Sequence, residues 1–198
     1  MANLFPTLPW PAIGCSAALA AWLLVGAWSD VRTRRIPNWL VASGMVCALA
    51  VQALAPAGGG LFGQGWGALG IMPALLGLLT GLALFMPLYL FRIVGAGDVK
   101  LLAMVGAWLG PQFTLGAALL TLLAGGLMAV VVMLASRSSL QVLANVRMML
   151  TTALIGAYAG RLAPMDAPAT TGVRLPYALA ITLGSLAQVG WLLAQARS

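Results

Sequence analysis

The dominant pattern along the chain is a succession of long apolar runs separated by short stretches that hold nearly all of the charge. Runs of about 17 to 25 residues match a hydrocarbon core roughly 30 Å thick. That ruler predicts membrane-crossing helices near Ala12–Trp28, Ile36–Ala55, Ala68–Phe91, Val94–Leu109, Phe113–Ala135 and Tyr177–Ala194. The expected fold class is all-α, a polytopic membrane protein with about six transmembrane helices in one bundle and a single domain over residues 1–198. Between the last two runs, Ser136–Pro176 is not a span. Within it Leu143, Val146, Leu150 and Leu154 recur at helical spacing while Gln141, Asn145 and Thr152 lie off that stripe. This predicts an interfacial helix on the cytoplasmic side; packing of the same stripe on the bundle satisfies the pattern equally.

Inside the spans, Pro73 and Pro87 are expected to kink the third helix. Gly77, Gly81, Gly116, Gly125 and Gly126 are expected to permit close helix approach, and the Gly-rich stretch Gly58–Gly67 reads as a flexible outer loop. Trp10, Trp28, Trp39 and Trp66 fall near predicted membrane boundaries, where aromatic belts form.

Composition changes the picture little: 62% hydrophobic and 7% charged residues, with a mean hydropathy of +1.03, exclude an ordinary soluble domain. Charge adds an orientation. Nine of the ten basic residues occupy three alternate loops: Arg32, Arg34 and Arg35; Arg92 and Lys100; and Arg137, Arg147, Arg161 and Arg174. The positive-inside bias makes that side cytoplasmic and both termini external, with Arg197 the exception. Cations distributed by topology form no nucleic-acid groove, so no nucleic-acid partner is expected; the bilayer is the surrounding medium. Cys15 and Cys47 lie within apolar spans without CxxC spacing, which indicates neither a zinc site nor a disulfide framework.

Only three acids exist, Asp30, Asp98 and Asp166. Asp166 sits in "GRLAPMDAPATTG", a loop by its Pro, Gly and Thr content, and reads as solvated. Asp30 ends the first span, near the cytoplasmic interface. Asp98 is deeper: it lies 12 residues from the outer turn at Gly110, about 18 Å of helix, so its carboxylate falls below the headgroups. An ionisable group at that depth is a functional-site hypothesis by default. Pairing with Arg32, Arg34, Arg92 or Lys100 as plain counterions is the alternative, but Gly95 and Gly97 directly before Asp98 are not needed by a counterion. Glycines there can break the helix and let backbone approach an extended substrate strand.

Two acids on two spans, with no His anywhere, suit one chemistry. Aspartyl hydrolysis uses two carboxylates that share a proton: the ionised one takes a proton from water and the protonated one polarises the scissile carbonyl. Arg32 and Lys100, each two residues from an acid, are placed to moderate the charge of the pair. Serine and cysteine triads lack their His, a two-metal site lacks acids, and no phosphate-binding or dinucleotide motif occurs, so no metal and no cofactor is expected.

"DVRTRRIPN" (Asp30–Asn38) and "GAGDVKL" (Gly95–Leu101), with "RLPYALAITLG" (Arg174–Gly184) opening the last span, together resemble the type IV prepilin peptidase family of GxGD membrane aspartyl proteases. The resemblance implies removal of leader peptides from prepilins or pseudopilins, ahead of their apolar N-terminal helix, at the cytoplasmic face of the bacterial inner membrane. It makes Asp30 and Asp98 catalytic and matches Gly95, Gly97 and Lys100 to the second motif. Pro37 and Asn38 match the "PN" that fixes the loop beside Asp30. It implies pilus or secretion machinery as partners. Larger members carry two CxxC pairs in an N-terminal cytoplasmic part and also methylate the new N-terminus; the compact chain without CxxC is similar to peptidase-only forms of tight-adherence (Flp-type) systems, and methyltransferase activity is not expected. Two rival expectations stand beside this. A small proton-coupled transporter would carry Asp98 on an ion path with polar residues such as Ser16, Ser43 and Gln52, and a noncatalytic assembly partner would use the aspartates structurally.

Overall fold

A computed structural model describes residues 10–62, 65–91, 93–135, 151 and 176–196. Among them are six helices: α1 (Trp10–Thr33), α2 (Asn38–Leu54), α3 (Ile71–Leu90), α4 (Ala96–Leu109), α5 (Pro111–Ala135) and α6 (Tyr177–Gln195). Four, α1, α3, α5 and α6, are long and apolar enough to cross a membrane, and α2 is a shorter apolar helix. The chain is an all-helical polytopic membrane protein. The predicted interfacial helix, Asp166 and Arg92 lie outside the described residues.

α4 is the axis of the bundle. Every residue from Asp98 to Leu109 except Lys100 is buried, so from Leu101 onward α4 has no exposed face and is apolar all round, as an enclosed helix must be. α1, α2, α3, α5 and α6 all pack on it, and each packs on its two neighbours in the ring α1–α2–α3–α5–α6. The ring helices bury an inward stripe and turn residues such as Leu79, Leu119, Leu123, Leu127 and Leu134 outward, where lipid replaces the need for a polar surface.

Glycine sets the tightest crossings. Gly77 lies backbone to backbone on Gly106 between α3 and α4, and one turn further a methyl group at Gly81 would stand 2.6 Å from the Leu102 carbonyl oxygen. Gly116 seats Gln188, and Gly125 seats the Tyr177 ring, between α5 and α6. Gly126, expected to do likewise, faces open space. Pro73 also departs from expectation: it falls in the first turn of α3, where the missing amide would have had no helical partner, whereas Pro87 is inside the helix.

The stretch Gly58–Gly67 is not a loose loop. Gly58 N–H donates to Ala68 O at 2.9 Å, Ala68 N–H to Pro56 O at 2.6 Å and Gly67 N–H to Gly60 O at 3.1 Å, tying its two flanks together. Its apolar pair Leu61 and Phe62 is 1% and 2% exposed, with Phe62 centred 6.5 Å from Trp108. Buried Gln52 pins it: the side chain donates to Trp108 O at 3.3 Å and accepts from Leu69 N–H at 2.9 Å. The two apolar side chains thus close the end of the bundle where α4 finishes.

Candidate active site

The opposite end of α4 is built from four chain segments. The first is the last turn of α1. Arg34 takes a left-handed conformation (φ 55°) and donates its N–H to Asp30 O at 2.9 Å, while Ser29 and Thr33 hydroxyls both donate to Arg35 O, at 2.9 and 3.1 Å. The two hydroxyls thereby fasten the chain just past the helix end back onto its last turn. The second is Ile36–Pro37–Asn38. Pro37 cannot extend a helix backwards, and with φ −62° and ψ 131° it caps α2, which begins at Asn38 rather than at Ile36 as expected.

The third segment is "GAGD". Gly95 caps α4, and Asp98, in the first turn, accepts the Gly95 N–H through Oδ2 at 3.0 Å. The carboxylate ties off one of the orphan amides at the positive end of the helix. Asp98 is 8% exposed, and its other oxygen, Oδ1, is buried with no hydrogen-bond partner among the described residues. The helix is broken here as expected, α3 ending at Leu90 and α4 starting at Ala96, but Gly95 has φ −81°, extended backbone open to any residue, and neither glycine is left-handed. The glycines serve by lacking Cβ: a methyl at Gly95 would sit 3.3 Å from Asp98 Oδ2, and one at Gly97 3.2 to 3.4 Å from three atoms of Ile36.

The fourth segment is the start of α6. Ala178 N–H points at Asp30 Oδ2, 3.4 Å away. Tyr177 packs edge-on against Phe85 of α3 with ring centroids 6.0 Å apart, and its phenol lies on Gly125 of α5. Tyr177 and Asp98 are within electrostatic reach of each other.

Asp30 and Asp98, 68 positions apart in the chain, are therefore brought to the same end of the bundle. Asp98 feels the charge of Asp30, and three bridges join their supports: Ile36 on Gly97, Lys100 Nζ donating to Asn38 Oδ1 at 3.1 Å, and the adjacent pair Tyr177–Ala178 facing both acids. The site is also recessed. From the Gly81–Leu102 crossing, α3 runs nine residues to Leu90 and α4 six back to Ala96. That is about 13 Å against about 9 Å, so α4 starts roughly 4 Å short of the end of its neighbour.

Of the residues singled out from sequence, Asp30, Asp98, Gly95, Gly97, Lys100, Pro37 and Asn38 converge here. Arg32 does not join them: its guanidinium lies over the Trp28 ring, 4.9 Å from the centroid, a cation–π contact on the outer face of α1. Arg34 is the cation in electrostatic reach of Asp30. Lys100 engages Asn38 and acts on the loop. Sequence reasoning missed Tyr177, the Ala178 amide and Ile36, and named Arg34 only as one possible counterion. The "RLPY" motif was visible, but a backbone amide and a packing contact carry no signature of their own. Among the described residues no group of three His, Cys, Asp or Glu side chains could hold a metal ion.

The sequence model of the type IV leader peptidase family matches residues 17–134, which include both aspartates and their flanking motifs. No curated protein and no solved structure matches the chain. With well over half of its length matched to that one family, the chain belongs to the type IV leader peptidases.

Proposed function

We propose that this peptidase is a membrane aspartic endopeptidase that removes the leader from prepilin or pseudopilin precursors at the cytoplasmic face of the bacterial inner membrane, serving a pilus or secretion machine and needing no cofactor. Asp30 and Asp98 are the catalytic pair. The observation that carries this reading is that both lie at the recessed end of α4, Asp98 within electrostatic reach of Asp30 and with one of its oxygens buried and undonated. A buried polar atom without a partner is costly, and it becomes useful where a water or a scissile carbonyl binds. One carboxylate, ionised, takes a proton from the attacking water as its oxygen adds to the carbonyl carbon. The other, protonated, donates to the carbonyl oxygen; return of a proton to the departing amine releases the leader.

The orientation follows from charge: Arg32, Arg34, Arg35 and Lys100 cluster at the end that holds the acids, the arrangement expected of a cytoplasmic side. A prepilin presents a soluble leader joined to an apolar helix, so the bond to be cut lies at the membrane edge, where this pair sits. The transporter reading is less favoured, because the polar side chains it needs are committed locally: Ser16 to Ile13 O, Ser43 to Leu40 O and to the Trp22 indole, and Gln52 to the outer closure.

The test is co-expression with a prepilin, following leader removal by gel mobility. Asp30→Asn and, separately, Asp98→Asn abolish cleavage while protein level in the membrane stays constant; cleavage retained in either variant defeats the proposal. Mass spectrometry of the mature N-terminus is expected to find no added methyl group.

A further inference from the structure

The contact between Ile36 and Gly97 belongs to neither acid, yet it lies between the segments that carry them. The three Ile36 atoms closest to a methyl built on Gly97 are Cβ at 3.2 Å, Cδ1 at 3.3 Å and Cγ1 at 3.4 Å. The side chain therefore rests on the bare Cα one residue before Asp98. The backbone on both sides of Ile36 is held. On one side Arg35 O is held by Ser29 and Thr33 of the α1 turn that carries Asp30. On the other, Pro37 is fixed as the α2 cap, its carbonyl accepting from Leu40 and Val41 N–H at 3.2 and 3.4 Å, and Asn38 is tied to Lys100. One turn deeper, Gly26 of α1 lies 3.5 Å from Leu101 by the same measure, so α1 and α4 already touch there.

We infer that Ile36 is a positioning residue: its side chain, seated on Gly97, is the strut that sets the separation of Asp30 from Asp98. The inference rests on the reading of the two acids as a catalytic pair. A strut of this kind has a signature that general packing lacks, because added bulk on one side is relieved by removed bulk on the other. Gly97→Ala pushes the acids apart, so kcat falls about 10-fold or more while KM changes less than about 2-fold. Ile36→Ala alone slackens the strut and also lowers kcat. In the Gly97→Ala background, however, Ile36→Ala removes two of the three close atoms and raises kcat at least about 3-fold, and Ile36→Gly, which removes all three, raises it further.

A second measurement reads the distance without activity. In the full chain with Cys15→Ser and Cys47→Ser, Asp30→Cys and Asp98→Cys are oxidised to a disulfide with copper–phenanthroline, and the rate of bridge formation is followed by mobility. Gly97→Ala slows it, the added Ile36→Ala restores it, and Ile36→Ala with native Gly97 changes it. An additive loss of kcat in the double variant, or bridge formation indifferent to residue 36, overturns the inference. If the native chain cleaves no prepilin, the proposed function falls, and the thiol measurement alone still decides the strut. A Gly97→Ala chain that fails to reach the membrane leaves Ile36→Ala to decide it in the same way.

Discussion

A single methyl group at Gly81 tests whether the α3–α4 crossing holds the site in place. Built on the native backbone, that methyl stands 2.6 Å from Leu102 O and 2.9 Å from both Leu102 C and Ala103 Cα. All three are main-chain atoms of the central helix, so no side-chain rotation relieves the contact. Restoring ordinary contact of about 3.4 Å requires α3 and α4 to part by about 0.8 Å. Overpacking of this kind costs about 1–3 kcal/mol, which for a chain of this size lowers Tm by about 4–8 °C at the middle of that range. Leu102 lies four residues, about 6 Å, from Asp98 along α4. Displacement on the ångström scale at a reacting pair costs up to about 100-fold in rate, so Gly81→Ala is expected to lower kcat for leader removal by about 10- to 100-fold with little change in KM. The assay is cleavage of purified prepilin in proteoliposomes, with thermal unfolding measured in parallel. Gly126→Ala is the control, because a methyl there meets nothing within 4 Å; it leaves kcat unchanged and Tm unchanged or slightly raised through helix propensity. If Gly81→Ala behaves like Gly126→Ala in both measurements, the glycine crossing does not position Asp98 and the reasoning fails.

Gln52→Leu removes two hydrogen bonds and strands Trp108 O and Leu69 N–H; at about 1 kcal/mol each, denaturation in detergent should show a loss of about 2 kcal/mol. Activity at the far end of α4 survives, and unchanged stability would show that Gln52 does not fasten the outer closure. Phe62→Ala opens a cavity against Trp108 and is expected to cost about 3–5 kcal/mol in the same assay, again with kcat retained in the folded fraction. Lys100→Met and Asn38→Ala each break one exposed bond, so each lowers kcat modestly and the double variant is no worse than either alone. A cycle on leader cleavage reads the coupling, expected at about 0.5–1 kcal/mol, and additivity would show that the two residues act separately.

The fold class needed only the sequence, because the bilayer sets both the length and the polarity of anything that crosses it. Apolar runs of the right length, broken where Pro37 and the Gly-rich stretch stand, located five of the helices to within a few residues and the short α4 to within two at its start. Asp98 stood out as a candidate site residue for the same reason: a carboxylate at that depth has few structural uses, and scarcity of acids did the rest. Other features were decided by the tertiary structure. The Gly58–Gly67 stretch looked loose because glycine predicts freedom in the unfolded chain, whereas Leu61 and Phe62 are buried, Phe62 against a tryptophan 46 positions away. Proximity in sequence left Arg32 and Arg34 equally open as partners of Asp30, and helical geometry decides between them: it turns residue 32 toward Trp28 and leaves Arg34, past the helix end, in reach of the acid. Which amide faces Asp30, and which side chain rests on Gly97, depend on how α6 and the α1–α2 turn dock around α4. Periodicity records which face of a segment is apolar; it does not record which other segment that face will meet.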